Sequence, residues 1–242
     1  MPSRGRIDRE AAFVLHAYPY SETSLLVEAF SRTHGRLPLV AKGARRQGSP
    51  LRGALLAFQP LTIAWSGRGD VRTLVRCEWH GGHPLPRGEA LLCGFYMNEL
   101  LLRLLPREDP HEQLFDHYAL AVAQLAQGAA GGPVLRAFER RFLQELGYAL
   151  TLDRDASTGA AIEPERLYRY EPERGPVPTV NGALADDPCV VPGRVLLALA
   201  RDDFADASTA AAARQLMSAL IDHRLDRQTL HSRTIFRELQ GL

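Results

Sequence analysis

Short stretches in which apolar and polar residues alternate fill the first 80 residues and predict β-strands. Five such stretches cover residues 12–17, 24–30, 36–41, 58–65 and 71–79. A glycine-rich turn at residues 66–70 joins the last two as a hairpin, and residues 49–58 have room for one helical turn at most. Five short strands without a long helix between them are typical of a small closed barrel such as the OB-fold. An SH3-like barrel or half of a β-sandwich would give a similar pattern.

The apolar spacing changes to a helical period after a cluster of Gly, Pro and His at residues 80–86. Helices are predicted over 89–105, from an N-cap at Asp109 and Pro110, from Gly132 to a C-cap at Gly147, and over 192–200, 207–224 and 230–239. Residues 153–189 have no sustained period and are rich in Pro, Gly and charge, so they are expected to form an irregular insertion with room for a β-hairpin. The predicted fold class is α+β and multidomain: a five-stranded β-barrel in 1–80, a mostly α-helical domain in 81–152 and 190–242, and the insertion 153–189.

The formal net charge of +1 over 242 residues conceals an uneven distribution. Residues 1–80 carry 12 Lys and Arg against 6 Asp and Glu, a balance of +6, and the remainder carries 17 against 22. A basic first third on an otherwise acidic chain indicates a module that binds a polyanion. An odd number of scattered cysteines, no secretory signal and no long apolar run make a reducing, cytoplasmic location without a membrane partner the expectation.

The positive charge is concentrated in residues 42–52, which we call the basic segment. It follows the third predicted strand and contains Lys42, the only lysine of the chain. With flanking arginines and those of the second hairpin, the candidate DNA-binding residues are Arg36, Lys42, Arg45, Arg46, Arg52, Arg68 and Arg72. The candidates for base stacking are Tyr18, Tyr20, Phe30, Phe58 and Trp65. The alternatives are a solvated loop for the cations and core packing for the aromatic residues, which the apolar surroundings favour for Phe58 and Trp65.

The sequence contains one group of possible metal ligands and no recognisable catalytic motif. Cys77, His80 and His83 have a spacing that zinc could use, but a structural site needs a fourth ligand, and a linker rich in His is the simpler interpretation. Known hydrolase, metalloprotease, phosphate-loop and dinucleotide-binding motifs are missing from the sequence, so it predicts no enzyme. A metal-dependent hydrolase and an RNA-binding OB-fold protein remain the alternative functions.

The helix predicted from Gly132 carries a second basic cluster. Its apolar face holds Leu135, Phe138 and Phe142, and its outer side is predicted to carry Arg136, Arg140 and Arg141. Arg136 and Arg140 are four residues apart and therefore share one strip of the helix. Such a strip could hold an acidic peptide, and the alternative is pairing with Glu139 or Glu145 in the same helix.

Several motifs resemble the bacterial RecO family. They are residues 13–26 (FVLHAYPYSETSLL), 35–45 (GRLPLVAKGAR), 96–100 (YMNEL), 135–139 (LRAFE), 146–148 (LGY) and 232–239 (SRTIFREL). The similarity runs through the whole chain in order, and the first two motifs at this separation are specific to the family.

The resemblance implies a recombination mediator with an N-terminal OB domain and a helical domain. It implies binding of single- and double-stranded DNA, strand annealing, and action with RecR in loading RecA onto DNA coated by single-strand-binding protein (SSB). It further implies that the basic segment meets DNA and that the helix with Arg136 and Arg140 holds the acidic SSB tail. Some members carry a four-cysteine zinc module after the Gly-Tyr motif, but here no cysteine follows Gly147 before Cys189. We therefore expect no zinc and no other cofactor, and a module held by packing.

Overall fold

The computed structural model describes residues 5–82, 84–148, 150–179, 187–225 and 228–240. The chain folds into two compact units. One contains the residues up to Ala129 together with those from Ser232 onward, and the other runs from Ala130 to His231. The two helices that follow the barrel belong to the first unit because they pack on the barrel. The sequence instead predicts them as part of the helical domain.

The first unit begins with a closed five-stranded barrel. Its strands are β1 (Arg6–Tyr20), β2 (Ser24–Ser31), β3 (Gly35–Ala41), β4 (Leu61–Ser66) and β5 (Arg72–Trp79), in the order β1-β2-β3-β5-β4. Neighbouring strands are antiparallel except for the parallel pair of β3 and β5, and a short helix, α1 (Pro50–Ala54), lies between β3 and β4. This strand order is that of the OB-fold, so the predicted fold class is confirmed.

Helices α2 (Glu89–Leu104) and α3 (Glu112–Ala126) cover part of the outside of the barrel. The ring of Phe13 on β1 lies 5.4 Å from that of Phe115 and 5.1 Å from that of Tyr118, measured between centroids. Phe30 on β2 packs against the same two α3 rings. These edge and tilted ring contacts bury an aromatic cluster between the two strands and α3.

A β-bulge in β1 organises the contact between the barrel and these helices. The register with β2 shifts between Val14 and His16, which leaves Leu15 without a partner across the ladder. The Leu15 carbonyl instead accepts a hydrogen bond from the Asn98 amide at 2.8 Å, and the Asn98 amide oxygen accepts one from the Tyr118 hydroxyl at 2.6 Å. Burial raises the pKa of Tyr118 well above its usual range, so the hydroxyl stays a donor.

The connection between α2 and α3 differs from the prediction. Asp109 was expected to cap α3, but the helix starts at Glu112 because the preceding residues lie against β3. The Glu108 amide donates to the Arg36 carbonyl at 2.9 Å. Gly35 has a φ of 68°, and a Cβ there would lie 2.1 Å from the Asp109 carbonyl oxygen. Only glycine permits so close an approach of the two backbones.

The last helix, α7 (His231–Gln240), packs on α2. The backbone amide and the hydroxyl of Ser232 both donate to the Glu99 carboxylate, at 2.9 and 2.6 Å. The guanidinium of Arg233 lies 5.6 Å from the centre of the Tyr96 ring. These contacts return the C-terminal part of the described chain to the first unit.

The second unit combines three helices with a small sheet. Its elements are α4 (Gly131–Glu145), β6 (Leu167–Glu171), β7 (Gly175–Pro178), β8 (Val190–Pro192), α5 (Gly193–Arg201) and α6 (Ala207–Arg224). The expected hairpin is present as β6 and β7, and β8 extends it to a three-stranded antiparallel sheet. Asp206 caps α6 by accepting a hydrogen bond from the Thr209 amide at 2.7 Å. Hydrogen bonds from Ser208 and Thr209 lower the pKa of Asp206 to about 2.

Replacing Asn98 by Leu should destabilise the first unit by about 2–4 kcal/mol, because the Leu15 carbonyl and the Tyr118 hydroxyl both lose a buried partner. Tyr118→Phe should cost less, since it removes only the hydrogen bond to the Asn98 amide oxygen and keeps the one from Asn98 to the Leu15 carbonyl. Chemical denaturation monitored by circular dichroism measures both. Equal stability of Asn98→Leu and the unsubstituted protein would show that the bulge needs no side-chain support.

Candidate nucleic-acid interface

The basic segment leaves the barrel at the end of β3 and is fixed at several points. Ala44 is fully buried. The Arg45 amide donates to the Thr23 carbonyl at 2.9 Å, and the Arg45 guanidinium donates to the Ser21 carbonyl at 3.0 Å. The segment therefore lies against the turn between β1 and β2.

Four cations of the basic segment are available to a ligand. Lys42, Arg45, Arg46 and Arg52 are all exposed. Among the described residues, no ion pair joins any of them to a carboxylate. The neighbouring turn contributes one exposed carboxylate, Glu22, so the region has a net positive charge. Cations that are not paired with a carboxylate can neutralise a polyanion at little cost.

Two tyrosines stand beside these cations. Tyr18 and Tyr20 are 45% and 50% exposed, and the Tyr18 ring lies 4.2 Å from the ring of His16. Residues two apart on a strand share a face, so all three side chains point outward from β1. Tyr20 is paired with Ser24 of β2, and Ala41 of β3 with Leu25, so Lys42 continues the same row. The arrangement places aromatic rings and an ammonium group on one outer face.

The other three aromatic candidates belong to the core. Phe30, Phe58 and Trp65 are at most 2% exposed. Phe30 packs under α3, and Trp65 lies in the barrel interior. Their proposed role in base stacking is therefore wrong, and for Phe58 and Trp65 the alternative of core packing is the one observed.

Arg36 and Arg72, two of the predicted DNA contacts, are engaged within the protein. The Arg36 guanidinium donates to the Glu28 carboxylate at 3.2 Å and to the Leu105 carbonyl at 3.0 Å. Arg107 donates to the same Glu28, which is 4% exposed. Arg72 donates to Glu108 at 2.9 Å. Arg68 is exposed in the turn between β4 and β5.

The arginines of α4 do not share an outer side as expected. Arg136 is 6% exposed and is paired with Glu139, which is fully buried. Arg140 forms a two-pronged ion pair with Asp202, whose backbone is left-handed at the end of α5. The prediction is wrong for Arg136 because α4 packs against both α5 and α6, and these contacts bury a wide face of the helix that includes Arg136. Arg141 is partly exposed, and the described residues give it no ion-pair partner.

A hydrogen-bonded turn occupies the position of the zinc module. The Asp155 carboxylate accepts bonds from the Ser157 amide at 2.7 Å and the Ser157 hydroxyl at 2.6 Å. The described residues contain no cluster of three His, Cys, Asp or Glu side chains that could hold a metal. His80 bonds to Thr62 at 2.6 Å, and burial raises the pKa of Cys77 to about 11. His83 lies outside the described residues.

Sequence reasoning missed the ion pairs between the barrel and the start of α3. Arg32 at the end of β2 is held by Glu112 and Asp116, which lie four residues apart and therefore on one side of α3. The four-residue spacing of Glu112 and Asp116 was the signal in the sequence that could have indicated a shared cationic partner. It could not identify the partner, since Arg32 lies more than 75 residues earlier in the chain.

The strand order and the cationic end of the barrel define the class of this protein, an OB-fold protein with a helical second part. Two family models match: Recombination protein O N terminal over residues 7–83 and Recombination protein O C terminal over residues 85–234. Within the described residues, no helix is long and apolar enough to cross a membrane.

Similar proteins agree with the family models over the full chain. The DNA repair protein RecO of Azoarcus sp. (strain BH72) is 52% identical over 243 residues, covering 100% of both chains. The DNA repair protein RecO of Dechloromonas aromatica (strain RCB) is 51% identical over 245 residues with the same coverage. That of Thiobacillus denitrificans is 46% identical over 251 residues and is covered to 96%. The chain belongs to the RecO family of DNA repair and recombination proteins.

Replacing Arg136 by Met should destabilise the protein by about 3–5 kcal/mol, because Glu139 would remain as a buried charge without this arginine. Adding Glu139→Leu should recover much of the loss. Arg141→Ala, at a partly exposed position of the same helix, should change stability by less than about 0.5 kcal/mol. Thermal unfolding measures all three variants. A neutral Arg136→Met would contradict the structural role.

Proposed function

We propose that this protein binds single- and double-stranded DNA through the basic segment and anneals complementary strands. We further propose that, with RecR, it helps to load RecA onto SSB-coated single strands. The observation that carries the DNA-binding proposal is the group of four exposed cations between Lys42 and Arg52 that have no ion pair to a described carboxylate. RecR, RecA and a location at the nucleoid are inferred from the resemblance to RecO. A cytoplasmic location is inferred from the odd number of scattered cysteines, which is typical of a reducing compartment.

The proposed annealing mechanism is electrostatic. Phosphates on two strands repel each other, and cations on the barrel lower that repulsion when the strands approach. Arginine and lysine contacts to the backbone leave base edges free to pair. Tyr18 and Tyr20 offer faces on which unpaired bases can stack without sequence preference. The same surface can therefore hold a single strand and release it as a duplex forms.

Binding of the acidic SSB tail is proposed for α4, with changed roles for its arginines. Arg136 supports the helix from within and does not contact the tail. Arg140 reaches the tail by exchanging Asp202 for a carboxylate of the peptide, and Arg141 contributes a second charge. The tail thus competes with an internal ion pair, which limits its affinity.

Reversing the charges of Lys42, Arg45 and Arg46 together should weaken DNA binding strongly and leave the fold intact. For the unsubstituted protein, four phosphate contacts at about 0.7 each give a log–log salt slope near −3 on single strands. The variant should lose about 2 from that slope. Fluorescence anisotropy with a labelled oligonucleotide between about 50 and 300 mM salt measures it, and RNA of matched sequence tests the RNA-binding alternative.

The control variant carries Arg87→Glu, Arg201→Glu and Arg214→Glu, three exposed positions that are not part of the basic segment. It has the same change in net charge and should largely retain the slope. A slope near zero for the unsubstituted protein, or equal losses in both variants, would contradict the proposed interface.

Replacing Arg140 and Arg141 by Ala should weaken binding of a peptide with the acidic SSB tail by about tenfold or more and spare binding of naked DNA. Isothermal titration with the peptide measures the affinity. Undiminished peptide binding would place the tail site elsewhere. Arg87→Ala serves as the control, since this exposed arginine lies outside α4.

A further inference from the structure

We propose that three carboxylates, Glu108, Glu112 and Asp116, restrict DNA on the barrel to the end that carries the basic segment. We call them the carboxylate screen. The inference rests on the proposed DNA-binding function and adds the residues that set the extent of the site.

The carboxylate screen neutralises two barrel arginines that could otherwise meet phosphates. Arg32 donates to Asp116 through two nitrogens, at 3.1 and 3.0 Å, and to Glu112 at 2.5 Å. Arg72 donates to Glu108 at 2.9 Å. The Arg32 side chain is 39% exposed, so solvent and ligands can reach it.

Arg72 lies close to the end of β3 from which the basic segment leaves the barrel. The parallel pairing of β3 and β5 sets Arg72 beside Leu39, three residues before Lys42. At about 3.3 Å per residue, the two positions are about 10 Å apart along the strand. Leu39 lies in the barrel core and Lys42 points outward, so Arg72 does not continue the row of Lys42 on the outer face. Its guanidinium is partly exposed where it meets the Glu108 carboxylate, so Arg72 would add a positive charge near the basic segment if that carboxylate were neutral.

Residues 105–117, which contain the carboxylate screen, carry a net negative charge that repels a polyanion. Residues 105–117 contain four Asp and Glu against one Arg, a balance of −3 with His neutral. The hydrogen bond from Arg32 lowers the pKa of Asp116, so this carboxylate is ionised at neutral pH. A phosphate that approaches Arg32 must displace two carboxylates and gains little, because the arginine is already neutralised.

The segment is held in place independently of these charges. The Glu108 amide bonds to the Arg36 carbonyl, and the Arg36 guanidinium donates to the Leu105 carbonyl. The close approach of Gly35 to Asp109 adds a backbone contact. Amide substitutions in the carboxylate screen therefore remove charge and keep the segment docked on β3.

The test is a variant with Glu108→Gln, Glu112→Gln and Asp116→Asn. We expect single-stranded oligonucleotides to bind about tenfold more tightly at 0.1 M salt, and the salt slope to steepen by about 1.4, since two arginines each add about 0.7. Adding Arg32→Gln and Arg72→Gln to this variant should abolish the gain. Circular dichroism confirms that each variant is folded.

The matched control carries Glu163→Gln, Glu165→Gln and Glu171→Gln. It has the same change in net charge and also releases three exposed arginines, Arg166, Arg194 and Arg174, in the second unit. An equal gain in the control, or an unchanged slope in the screen variant, would overturn the inference. Loss of binding on reversing the charges of the basic segment, without a gain in the screen variant, refutes this inference alone. An unaltered slope after that reversal refutes the proposed interface itself.

Discussion

The hydrogen bonds of Asn98 to Leu15 and Tyr118 support the feature on which both the fold and the candidate site depend. Before the bulge, Val14 points into the barrel and Phe13 toward the helices; after it, His16, Tyr18 and Tyr20 point outward. Without the extra residue, the two-residue period would direct both tyrosines toward the interior. One irregular position thus allows the same strand to bury its outer face under helices at one end and expose aromatic rings at the other.

Ion pairing, more than the number of cations, determines where the surface of the barrel is positive. Arg32, Arg36 and Arg72 all lie on barrel strands or at their ends, and each has a carboxylate partner. The cations of the basic segment have none among the described residues. The carboxylates that make this difference at Arg32 and Arg72 come from residues 108–116, outside the basic first third of the sequence. A charge balance taken along the chain cannot represent such pairing.

The regular parts of the fold could be predicted because they follow periodic burial. Alternation located the five strands, and leucine spacing located α2 within a residue of its observed end. The start of α3 was misplaced because backbone contacts with β3, far away in sequence, hold Asp109 outside the helix. Arg136 was assigned to solvent because a charged residue on an amphipathic helix is usually exposed, whereas here Glu139 makes its burial tolerable. Local patterns carry no information on such distant partners.

The return of α7 to the first unit has a consequence for folding. The second unit, about a hundred residues, is connected to the first at both of its ends. Docking of α7 through Ser232 and Glu99 therefore closes a loop whose entropic cost depends on whether the intervening chain is folded. When the second unit folds, its ends are held at a fixed separation and that cost changes. The stabilities of the two units are therefore linked through chain connectivity, even without any direct interaction between them.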